Sequence, residues 1–186
     1  MRSACLRLFI FWSGLFHNSA WLAFAAPNVA LSISSRTESA EADNAVVYYS
    51  SDPLLVGNDA GAAAGGFHVW LLDDKPILNE VASETSGRTK LVAVVYDVGG
   101  KDFIITIAQT NSIIRVFDFD GVTEIREARK EAIGDWSALC TWRSAESGNQ
   151  YLYLFGKKQA VQYLITERSK KIEIAEVVFT YNLYRL

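Results

Sequence analysis

The residues in this sequence that could do chemistry sit in short polar turns at the ends of apolar runs. Asn58-Asp59, Gln109-Thr110-Asn111 and Lys157-Lys158 each close such a run. Carboxylate and amide oxygens in these turns suit a hard cation such as calcium, which takes several oxygen ligands. The lysines suit an anion, because ammonium and guanidinium groups hold phosphate oxygens. A second cationic cluster, Gly87-Arg88-Thr89-Lys90, stands at the start of an apolar strand. Lys157, Lys158, Arg88 and Lys90 are therefore the expected phosphate-binding residues, and Asp59 is an expected metal ligand. The alternative is that these residues are there only because Asn, Asp and Gly make turns. No catalytic residue is assigned.

Several other chemistries fail on inventory. Arg2 and Arg7, the apolar stretch Leu8 to Phe16 and the small-residue pattern Ala23-Phe24-Ala25 before Ala26-Pro27 form a secretory signal peptide over 1–25. The rival is a membrane anchor, which needs about 20 continuous apolar residues, and His17-Asn18-Ser19 interrupts this run. The expected location is extracellular, with no membrane contact after cleavage. Cleavage removes Cys5 and His17, which leaves Cys140 the only thiol and His68 the only imidazole. A cysteine–histidine zinc site needs about four ligands, so it is excluded. A Ser-His-Asp triad would have to use His68, inside the apparent strand Phe67-His68-Val69-Trp70. Gly65-Gly66 lacks the Gly-Lys-Ser/Thr ending of a phosphate-cradling loop. With 18 basic against 21 acidic side chains and no interleaving of basic and aromatic residues, nucleic acid is not an expected partner.

The turns need strands to place them. After a polar, Ser-rich leader over 26–44, apolar runs are short and rich in β-branched and aromatic residues. Only Glu124 to Lys130 hints at a helical period, so the signature is all-β. Three hairpins can be laid over one another: Leu54 to Asp59 with Phe67 to Asp73, Phe103 to Thr110 with Ile113 to Asp118, and Tyr151 to Lys158 with Ala160 to Ile165. Each follows a further candidate strand: Val46 to Tyr49, Lys90 to Tyr96, and Trp136 to Trp142. The pivots Gly57, Ala108 and Gly156 recur about every 50 residues. Four antiparallel strands per unit of that length predict a β-propeller with about three blades present over 45–186. A β-sandwich without a true repeat is the alternative architecture. The chain's 186 residues, 50% of them hydrophobic, suffice for one domain.

The segments YYSSDPLLVGNDAGAAAGGFHVW, SGRTKLVAVVYDVGGKDFIITIAQTNSIIRVFD and GDWSALCTWRSAESGNQYLYLFGKKQAVQYLI, taken in order, carry a resemblance. From Leu54 to about Glu176 the chain resembles the N-terminal part of a fungal β-propeller phytase, a 3-phytase. The resemblance implies a six-bladed propeller that binds Ca2+ and hydrolyses phosphomonoesters of phytate or other inositol phosphates with a metal-activated water. It implies that Lys157 contacts substrate phosphate, that Arg88 occupies a basic position, and that Asp43 stands where family members carry a calcium-binding acid. It also implies losses. Leu91-Val92-Ala93 replace metal ligands, Asn58-Asp59 replace a lysine pair, and Trp136 replaces a tyrosine. The resulting expectation is a truncated, inactive relative of a secreted hydrolase. The alternative is a non-catalytic propeller fragment or binding module with a phosphate-binding rim, self-associating through open blade faces.

Overall fold

The β-branched and aromatic runs form strands, and the Gly, Asn, Asp and Ser clusters between them form turns. The computed structural model of the chain describes residues 42–61, 65–73, 77–109 and 111–177. The expected signal peptide lies outside the described residues, as does all but 42–44 of the leader. A first antiparallel sheet consists of Ala45–Tyr48 (β1), Leu54–Asp59 (β2), Gly66–Leu71 (β3) and Asn79–Glu84 (β4), paired in chain order. The second holds Thr89–Val98 (β5), Lys101–Ala108 (β6), Ile113–Asp118 (β7) and Thr123–Glu124 (β8), with Lys130–Glu131 (β9) also pairing β7. The third holds Trp136–Arg143 (β10), Gln150–Gly156 (β11), Ala160–Arg168 (β12) and Lys171–Val177 (β13). Among the described residues, no helix is long and apolar enough to cross a membrane.

The second sheet packs on both of its faces, and side-chain parity shows how. In β5, Val92 and Val94 join Ile104 and Phe117 in a core with Val56, Phe67 and Val69 of the first sheet. Phe67 meets Phe117 edge-on, with ring centroids 4.9 Å apart. The alternate residues Leu91, Ala93 and Val95 join Phe103, Ile105 and Ile107 in a core with Leu152, Leu154, Tyr163 and Ile165 of the third sheet. Burial on both faces is the reason β5 and β6 read as continuous apolar runs, whereas β11 and β12 alternate.

This arrangement corrects the propeller expectation. The described residues form three separate open sheets of four, five and four strands, which do not close into a ring. The hairpin order within each sheet is as the repeat suggested. However, a repeat of about 50 residues reports only successive antiparallel meanders joined by short loops, and ring closure is a property of sheet-to-sheet packing that local period does not encode. The pivots are not equivalent either. A Cβ on Gly57 would meet the Trp70 ring at 2.8 Å, whereas one on Gly156 would meet the Asp135 carbonyl oxygen at 2.6 Å. The stretch Glu124 to Lys130 is not a helix. It is β8, a 3-10 turn over Arg126–Ala128, and the approach to β9.

Glu124 ties that irregular stretch together. Arg129 donates to both of its carboxylate oxygens, at 2.7 and 2.6 Å, and Arg115 Nε lies 3.8 Å away. The Arg129 hydrogen bonds hold the Glu124 carboxyl below the usual glutamate range, against the opposing effect of burial. A depressed folded-state pKa contributes stability at neutral pH that is lost as pH falls through that value. Glu124→Gln is therefore expected to lower stability at pH 7 and to flatten the acid limb of stability against pH. Denaturant unfolding between pH 6 and 2 checks this, and parallel acid limbs for the two proteins would refute it.

Candidate functional site: a lysine cluster at one sheet end

The start of β5, the start of β10 and the end of β11 lie at the same end of the second and third sheets, where Lys90 and Lys157 both reach Asp135. Trp136 anchors this end. It is buried, its indole Nε1 donates to the Ala132 carbonyl at 2.6 Å, and it pairs with Gly156 across β10 and β11. Without a side chain at Gly156, the backbone of Asp135 can lie against the end of β11. The turn that follows closes with Gly156 N donating to the Gln159 carbonyl at 2.8 Å. This places Lys157 and Lys158 beside Asp135.

The Asp135 carboxylate is shared. Lys90 Nζ lies 3.1 Å from Oδ1, and Lys157 Nζ lies 3.7 Å from Oδ2. The Lys90 hydrogen bond, and after it the charges of Lys90 and Lys157, hold the Asp135 carboxyl below the usual aspartate range. The group is exposed, so the arrangement adds little to stability. Asp135, Lys157, Lys158 and Gln159 line a cavity of about 340 Å³. Two lysines thus pair with one carboxylate and a third lines the same cavity, an excess of positive charge at one opening. A second cavity, about 380 Å³, lies at the opposite end between the β5–β6 and β12–β13 turns. It is lined by Lys101, Lys170 and Lys171 against Asp118, Glu127 and Glu167, so its charges balance. The Lys101–Asp118 pair within it is already closed, at 2.8 Å.

Of the expected phosphate-binding residues, Lys90, Lys157 and Lys158 come together. Arg88 is exposed, two residues before Lys90, and its carbonyl accepts Gln109 N at 2.9 Å. Asp135 and Gln159 were not anticipated. The signal available was Gly134-Asp135-Trp136, an acidic turn directly before a strand.

The expected metal ligands are not brought together. Asp43 belongs to a network around buried Asn58, whose Nδ2 donates to Asp43 Oδ1 at 2.6 Å. Asn58 Oδ1 accepts the backbone N–H of Asp43 and of Asn44, at 3.1 and 2.8 Å. Asp59 points to the outer face of the first sheet. Its Oδ1 accepts Gly61 N at 2.8 Å, and its Oδ2 faces His68 Nε2 at 3.6 Å. Among the described residues no group of three His, Cys, Asp or Glu side chains is placed to hold a metal ion. Calcium needs six to eight oxygens, and these two acids already accept protein hydrogen bonds in separate places. His68 also meets Glu80 Oε2 at 2.9 Å through Nδ1. Both ring nitrogens therefore face carboxylates, which leaves neither to activate a serine.

No protein-family model matches the chain, and no curated protein matches it. Together with the open sheets, this overturns the 3-phytase resemblance and the hydrolase activity drawn from it. The quoted segments form neighbouring strands and turns of these three open sheets. What fold and site define is an all-β chain of three face-packed antiparallel meanders with a lysine-rich opening at one end.

Proposed function

We propose that this chain is a binding module that takes an oxyanion-bearing ligand at the opening formed by Lys90, Lys157 and Lys158. The observation that supports this reading is the sharing of one carboxylate, Asp135, by two lysines with a third on the same cavity wall. Like charges crowded at one opening repel, and an oxyanion there neutralises the excess while accepting from ammonium donors. Asp135 acts as an internal competitor that keeps the lysine side chains oriented when no ligand is bound.

The test is titration with inorganic phosphate and pyrophosphate at low ionic strength, followed by calorimetry or backbone amide shifts. Lys157→Ala combined with Lys158→Ala should weaken binding about tenfold or more, the effect of losing roughly 1.4 kcal/mol of attraction. Asp135→Asn should tighten it, because the competing carboxylate is gone. Affinity should fall as salt is raised. Binding that is unchanged in the double variant, or no binding by the parent at millimolar pyrophosphate, would dismiss the reading.

A further inference from the structure

We propose that the outer face of the third sheet is the contact surface of a symmetric dimer, packed against the same face of a second copy of this chain. Strand alternation sends Leu152 and Leu154 of β11 into the core and turns Tyr151, Tyr153 and Phe155 outward. Trp142 of β10 extends the ladder. Successive ring centroids from Trp142 to Phe155 lie 5.7, 6.5 and 6.4 Å apart. Trp142 is 51% exposed and Phe155 38%. The cross-strand rows through Tyr151, Tyr153 and Phe155 carry no charged side chain, and Gln162 is their only amide. Exposed Cys140 stands directly opposite Tyr153.

Area and charge select the occupant. Four strands about 4.8 Å apart, with seven residues at about 3.4 Å each, give a footprint on the order of 450 Å² per copy. Two such textured faces together remove on the order of 1,000 Å², the lower bound of a specific interface, so association is expected in the micromolar range. The outer face of the first sheet is charged, with His68 set between the carboxylates of Asp59 and Glu80. Stacking copies head to tail would press the neutral aromatic rows onto those carboxylates and strip their water, which is costly. Pairing the third-sheet face with itself sets the neutral aromatic rows against each other and leaves Arg168, Lys171 and Glu173 at the rim, by the β12–β13 turn, and a two-fold contact closes after two copies.

Sedimentation of the full chain over a concentration series should show a monomer–dimer equilibrium with no larger species. Tyr153→Lys, at the centre of the face, should weaken dimerisation by roughly 30-fold or more, as loss of an interface hot spot does. Alkylation of Cys140 requires no variant. Read by peptide mass, it should slow as the dimer fills. A monomer at every concentration up to about 200 µM overturns the proposal. So do assemblies that keep growing with concentration, a monomer bound to some other protein, or Cys140 reactivity indifferent to concentration.

Discussion

Asn58→Ala is expected to lower the unfolding free energy by about 3 kcal/mol, seen as a shift of the denaturant midpoint at unchanged slope. Asn58 is fully buried, and its amide joins three segments of chain. Its oxygen accepts the N–H groups of Asp43 and Asn44. Its nitrogen reaches Asp43 Oδ1 and the carbonyls of Thr89 and Lys90, the last two at 3.0 Å each. Alanine leaves these groups without a partner where water has little access, at about 1–3 kcal/mol for each that stays unsatisfied. Asn58→Asp is the sharper variant. It keeps the acceptor for the two N–H groups but turns a second carboxylate oxygen toward Asp43 and two carbonyls, so it should do no better than alanine. The Lys90 carbonyl is one of the groups released, so oxyanion affinity should fall with stability. An Asn58→Ala protein within about 0.5 kcal/mol of its parent would remove the network from the account.

The second large effect is expected at Trp136. Trp136→Ala should cost about 3–5 kcal/mol, the range for emptying a large aromatic site in a packed core, and lower the midpoint of thermal unfolding by roughly 10 °C. The side chain is 2% exposed and belongs to the core between the second and third sheets. It also satisfies the Ala132 carbonyl. Trp136→Phe separates the two contributions, since it keeps most of the ring volume but loses the indole donor, and should cost about 1–2 kcal/mol. Asp135 is its neighbour in sequence and lies against Gly156. The alanine variant should therefore also loosen the Lys90–Asp135 pair and weaken pyrophosphate binding, while the phenylalanine variant largely preserves it. A loss below about 1 kcal/mol for Trp136→Ala would show that this end of the core collapses onto the cavity.

The strands were readable because their side-chain pattern is local. Lys90 to Tyr96 is apolar at both parities and lies between two cores, and Tyr151 to Phe155 alternates and is covered on one side. The short pieces β8 and β9 were not readable. Each is two residues long, and their stretch is held by Glu124 and its arginines and not by period. The site divides in the same way. Lys157 and Lys158 declare themselves as cations in a turn, but nothing near them in sequence shows that Lys90 and Asp135 meet them. Asp43 and Asp59 have the composition of cation ligands, yet one is spent on Asn58 and the other on Gly61 N–H and His68.

By itself, the sequence determined the first three strands of each sheet, their antiparallel meander and the basic character of the β11–β12 turn. All of these follow from residue type at separations of a few positions. Only the tertiary structure decided that the sheets stay open, that Lys90 and Lys157 share Asp135, that the two candidate metal acids stand apart, and that the outer face of the third sheet gathers an aromatic ladder. The physical reason is range. Strand period and turn chemistry act over one hairpin, whereas sheet-to-sheet packing and side-chain convergence join residues about 50 or more positions apart, which no local pattern records.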